Sequence, residues 1–293
     1  MGLDARGIIA IIQIVLFVPI FCFTLFITLR HGFKRDAGWV FLLIFSVIRI
    51  VGGVMLVVAE SLKHPSTGVY ITAYVLASVG LSPLLFATLG FLRAVDQFGL
   101  SGLPIATRHW RVLRLLLVVA LALAIVGGTD ASSSSLSTQH TGTTLRKVAS
   151  LIFLGSFIII VIIHFLYWSR KDKILLHRRT LLVGISAALP FLAVRILYSI
   201  LSSFSPNSLG AQTLGVAPGH TSLSKFNTVT GSWVIYLIMS LLMEIIAVLI
   251  YCTTGTLIPL QKEEQDYESG PNKNAYQMNG QNGGQVDQGY GRR

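Results

Sequence analysis

Seven apolar runs, each near the length of a bilayer-crossing helix, fill most of this chain and constrain its fold more than any other feature. They cover about 7–29, 37–59, 69–92, 112–128, 148–168, 180–203 and 230–254. About 20 consecutive apolar residues are needed for a helix to cross the hydrocarbon core. Membrane strands alternate apolar and polar over about ten residues, whereas these runs are continuous, so helices are expected. The expected fold class is all-α, a polytopic seven-transmembrane-helix bundle. Composition agrees, with 53% of 293 residues hydrophobic and only 12% charged. Soluble domains are about a quarter charged, and a chain this poor in charge could not cover a water-facing surface.

The runs group into one domain, residues 1–256. From about Leu257 the composition changes abruptly. The segment KEEQDYESGPNKNAYQMNGQNGGQVDQGYGRR lacks Leu, Ile and Phe. It buries too little apolar surface to offset chain entropy, so 257–293 is expected to be a disordered cytoplasmic tail. The first run is too long for a signal peptide, and no small-residue cleavage site follows it; it is expected to stay as a span. Pro19, Pro83 and Pro190 each remove a helical hydrogen bond and predict kinks in spans one, three and six. Cys22 and Cys252 both lie in apolar runs, which excludes a disulfide-stapled domain.

Lysines and arginines alternate between rich and poor connections. One set of alternate segments holds 5 and the other 16, with Arg49 and Arg195 inside spans. The basic side of a membrane protein faces the cytoplasm. The N-terminus is therefore expected outside or in a lumen of the plasma membrane or an endomembrane, and the C-terminus in the cytoplasm. This accounts for the net charge of +11 without a nucleic-acid partner. The expected partner is the lipid bilayer. Anionic lipid headgroups are candidates for the cytoplasmic basic loops, the 170–179 cluster RKDKILLHRR in particular. The fourth connection, TDASSSSLSTQHTGTT, reads as a polar linker or an O-glycosylated stretch. The sixth, about 204–229, is long enough to fold over the mouth of the bundle.

Charge within a span is expensive and faces the bundle interior or a water-filled cavity. Arg49, Arg195 and Glu244 lie deep, about 16, 12 and 21 Å from the outer ends of their spans at 1.5 Å per residue. Long arginine side chains close the remaining gap, so Glu244 is expected to pair with Arg49 or Arg195. Glu60 is three turns along from Arg49 on the same face. Tyr198 follows Arg195 at i+3, and Trp233, Ser240, Glu244 and Tyr251 share a stripe on the seventh span. Arg49, Glu60, Arg195, Tyr198, Ser240 and Glu244 therefore form a candidate polar site open to the outer side. A structural ion pair and a site for a small-molecule, ion or lipid ligand are both consistent with it. Two arginines against one glutamate favour an anionic ligand. His164 reads as a hydrogen-bonded bundle histidine, and Arg93 with Asp96 as a surface pair.

Several chemistries lack their residues. No lysine sits mid-span for a retinal Schiff base, and His164 is the one histidine at membrane depth, which is too few for a zinc hydrolase. No H-E-x-x-H, G-x-S-x-G or phosphate-binding glycine loop occurs. No cofactor, no metal and no enzymatic activity are expected.

The segments MGLDARGIIAIIQIVLFVPI, RIVGGVMLVVAE, GLSPLLFATLGFLR and SLLMEIIAVLIY carry a family resemblance. With them, residues 1–256 resemble a family of fungal seven-transmembrane proteins grouped as a domain of unknown function. The layout is also similar to that of fungal lipid-translocating-exporter-like proteins. The resemblance implies a fungal integral membrane protein and carries over no catalytic or binding residue. The residues themselves predict a receptor or sensor with an outward-facing polar pocket. The alternative is a transporter or lipid-handling protein using the same Arg/Glu cavity.

Overall fold

The structure is a computed structural model that describes residues 5–31, 38–62, 67–96, 105–133, 135–169, 176–206, 222–228 and 230–257. The expected tail, residues 170–175 of the basic cluster and most of the sixth connection lie outside the described residues, as does the side chain of Asp96.

Seven helices are long and apolar enough to cross a membrane. They are α1 (Arg6–Arg30), α2 (Trp39–Ser61), α3 (Gly68–Val95), α4 (Trp110–Asp130), α5 (Leu136–Ser169), α6 (Arg179–Phe204) and α7 (Trp233–Leu257). No strand occurs among the described residues. The chain is an integral membrane protein of the all-α class. Its outward faces carry large apolar side chains such as Val15, Phe26, Leu115 and Phe165, while Gln13, Arg49, His164, Arg195 and Glu244 are buried. That is the arrangement lipid demands, because water is not there to satisfy a polar group on the outer face.

The helices alternate in direction. Arg6 at the start of α1 donates to the carbonyls of Thr228 and Gly231, just before α7, at 2.6 and 2.7 Å. Ser202 near the end of α6 meets Thr228 at 2.6 Å. These groups mark one end of the bundle, called proximal here. At the distal end Gly38 opens α2 with φ 75°, and a Cβ there would lie 2.7 Å from the Ala87 carbonyl. Glycine is required by both the left-handed backbone and the close approach. Trp39, Phe91 and Tyr251 pack together beside it, with ring centroids 4.4 and 4.9 Å apart in succession.

The central helix is α3. Of its most apolar stretch 78% is buried, against 28–44% for the others. It is also the one that breaks. Helix runs over Thr67–Val79 and again over Leu81–Asp96, with Gly80 between. Pro83 explains the break, because it cannot donate to the carbonyl of Val79 four residues back. The Ser82 hydroxyl donates to that carbonyl instead, at 2.9 Å. Helices α1 and α6 pass Pro19 and Pro190 without interruption.

Two further departures from expectation concern α5 and α7. The Ser/Thr-rich fourth connection is not a linker over most of its length. Helix begins at Leu136, twelve residues before the expected span at 148. Thr141 and Thr144 turn their hydroxyls back onto the carbonyls of Ser137 and His140 at 3.1 and 2.9 Å. Gly142 lets this turn lie against Asp130 and Ala131, where a Cβ would come within 2.2 Å of the Ala131 nitrogen. Tertiary docking thus overrides a weak local propensity. In α7, residues Leu237–Leu242 form a π-helical segment between α-helical stretches. It turns fewer degrees per residue than an α-helix, so the expected stripe does not hold at Trp233. Ser240, Glu244 and Tyr251 are buried, but Trp233 is 46% exposed.

Candidate functional site

The three deep charges converge. Glu244 follows the π segment of α7 and accepts two charge-assisted hydrogen bonds on a single oxygen, Oε1. One comes from Nη2 of Arg49 on α2, the other from Nε of Arg195 on α6. All three side chains are at most 3% exposed. An unpaired charge at this depth costs several kcal/mol, and sharing one carboxylate leaves the trio with a single net positive charge.

Each arginine is positioned by its surroundings. The guanidinium of Arg49 lies over the Phe45 ring, 5.7 Å from its centroid. It also packs on the bare backbone of Gly80, where a Cβ would meet Cζ, Nε and Nη2 at 3.0 Å. The break in α3 therefore opens the space that Arg49 occupies. Gln13 on α1 donates to the Arg49 carbonyl at 2.7 Å, and the Tyr236 hydroxyl reaches the Gln13 side-chain oxygen at 3.4 Å. Arg195 lies over Tyr198, 5.7 Å from its ring centroid, and extends Nη2 to the Ala77 carbonyl at 3.4 Å. Oε2 of Glu244, Nε and Nη1 of Arg49 and the Ser240 hydroxyl are buried with no hydrogen-bond partner among the described residues. The cluster is thus tightly held yet retains unused polar capacity.

Two cavities flank it. The first lies between α1, α2, α3 and α7 and is lined by Ile9, Gln13, Arg49, Gly52, Tyr74 and Tyr236 among others. The second lies among α3, α4, α5, α6 and α7. Arg146, Arg195, Tyr198, Ser202, Ser203 and Ser240 supply the polar part of a mixed lining, around roughly 500 Å³ of space including its mouth. Ala77, Thr228 and Tyr236 border both cavities and form the partition between them. Among the described residues neither lining contains a carboxylate.

Of the six residues singled out from sequence, Arg49, Arg195 and Glu244 form the cluster, and Tyr198 and Ser240 line the second cavity. Glu60 stands apart, near Tyr74 toward the proximal end of α2, and lines neither cavity. His164 meets the Ser186 hydroxyl at 2.8 Å through Nε2, and Trp168 donates to the same oxygen. Sequence reasoning passed over Gln13, Arg146 and Tyr236. Gln13 carried a signal, since an amide inside an apolar run needs a buried partner. Arg146 was hidden because the fifth span was drawn from 148. Among the described residues no group of three or more His, Cys, Asp or Glu could hold a metal ion.

A family described as a domain of unknown function, DUF7702, matches residues 3–262. No curated protein and no solved structure matches the chain.

Proposed function

The chain belongs to the DUF7702 family, and on that premise we propose that it is a receptor-like membrane protein that binds a ligand in its polar intramembrane cavity. The observation that carries this reading is the placement of the Arg49–Glu244–Arg195 cluster. It stands beside two cavities and at the two irregular points of the helices, the Gly80 break and the π segment. A π turn and a broken helix are places where a helix can change its local geometry at small cost. A ligand that engaged Arg195 or Tyr236 would act on both. The role is binding rather than catalysis.

The distal half of the bundle favours sensing over transport. Below the cluster, Leu81, Leu84, Leu85, Phe45, Phe91 and Tyr251 are fully buried against one another. A side chain packed at interior density leaves no passage for a solute. The uneven distribution of basic residues supports a cytoplasmic distal end, with the cavities toward the outside or a lumen.

Cysteine labelling tests the reading. In a Cys22→Ser, Cys252→Ala background, Ser203→Cys sits in the second cavity. A membrane-impermeant maleimide should label it from the outer face of intact cells and not from the cytoplasmic face of inverted vesicles. Labelling from both faces would mean alternating access and a transporter. Labelling from the cytoplasmic face alone would overturn the orientation.

A further inference from the structure

We infer that the second cavity is an oxyanion site in which Arg146 and Arg195 receive a phosphate- or carboxylate-bearing ligand. This rests on the reading of the cavity as a ligand pocket and adds the chemistry of the ligand.

The charge balance carries the argument. Arg146 projects from α5 into a cavity whose other walls supply Arg195 and the hydroxyls of Tyr198, Ser202, Ser203 and Ser240. Arg195 shares its carboxylate with Arg49, whereas Arg146 has none. Among the described residues Arg146 makes no ion pair, and Tyr198 is the group that acts on it electrostatically.

A half-buried guanidinium with no counter-charge among the described residues is an unfavourable arrangement that a bound anion relieves. Arginine is also the side chain suited to the task, because its planar fork donates two parallel hydrogen bonds to a carboxylate or phosphate. Hydroxyls around it complete the coordination, and the unpartnered Ser240 hydroxyl is one donor in place. Glu244 is not part of the lining, and its two arginines more than offset its charge, so the trio does not repel an anion. The same oxyanion could come from a soluble metabolite or from a lipid headgroup entering sideways.

The test uses the full chain in phosphatidylcholine nanodiscs, with thermal unfolding as the readout. One arm adds glycerol 3-phosphate and the other replaces a fifth of the lipid with phosphatidic acid, with chloride at equal ionic strength as the control. The expected result is stabilisation in at least one arm, and the arm identifies the source. Arg146→Gln should weaken the half-maximal concentration about ten- to a hundred-fold, the loss of a charged hydrogen bond. Arg146→Lys should recover part of it. The ligand-free Arg146→Gln protein should be at least as stable as wild type, since it loses an unpaired cation; a purely structural arginine would give the opposite. No stabilisation in either arm, or equal stabilisation of Arg146→Gln, overturns the assignment. If Ser203→Cys is still labelled from outside, that failure belongs to the anion and not to the pocket.

Discussion

At the scale of single residues, Glu244 matters most because two cations depend on one oxygen. Removing its charge leaves Arg49 and Arg195 buried, alike in sign and unneutralised. Removing either arginine leaves a balanced pair. We therefore expect Glu244→Gln to lose about 3–5 kcal/mol of stability, the range for a broken buried pair. Arg49→Gln and Arg195→Gln should each lose about 2 kcal/mol, the loss of one charged hydrogen bond. Unfolding of the purified variants in bicelles measures the ranking, and an arginine variant weaker than Glu244→Gln would contradict it. This residue-level feature was legible in the sequence, because a charge inside a 20-residue apolar run has few ways to be tolerated. What the sequence did not disclose was that both arginines claim the same carboxylate, since span depth fixes height and leaves rotation open. Arg146 escaped for a different reason. It sits next to Lys147 at the edge of an apolar run, and only the extension of α5 to Leu136 draws it into the bundle.

At the scale of elements, the break in α3 and the seat of Arg49 are one feature. Pro83 ends the first stretch of helix, Gly80 spans the gap, and the guanidinium fills the space a side chain would take. Gly80→Ala should thus cost about 1–3 kcal/mol by overpacking. The same substitution in an Arg49→Gln background should cost clearly less, because the crowding partner is gone. Double-mutant unfolding measures that coupling, and additive effects would show that Gly80 serves the backbone alone. The helices were readable from sequence because apolar length is all a span requires. Their irregularities were less so. Pro19, Pro83 and Pro190 look alike in the chain, yet of the three only Pro83 has a glycine three residues before it, and only there does the helix part. Nothing local marks the π segment at Leu237–Leu242, which lies between Tyr236 and Glu244, two residues with partners on other helices. The Ser/Thr-rich start of α5 misled for the reverse reason, since its composition is that of a linker while its packing on α4 is that of a hairpin.

At the scale of the molecule, the cluster and Gln13 join the first, second, sixth and last spans through the middle of the bundle. Gln13, Arg49, Arg195 and Glu244 tie α1, α2, α6 and α7 together. A chain ending before α7 should accumulate poorly, and co-expression of residues 222–257 as a separate helix should restore its level. The same helix with Glu244→Gln should not; immunoblotting of the membrane fraction reads both, and equal rescue would show that packing alone recruits α7. The shared carboxylate also has a consequence in time. Ribosomes deliver α2 and α6 to the membrane before α7 exists, so for that interval two arginines wait in lipid with no counter-charge. At a few kcal/mol each on the insertion scale, such helices are held poorly by the bilayer and are suited to retention at the site of synthesis. The last helix then acts as the keystone, and its arrival turns seven separately inserted segments into one committed fold.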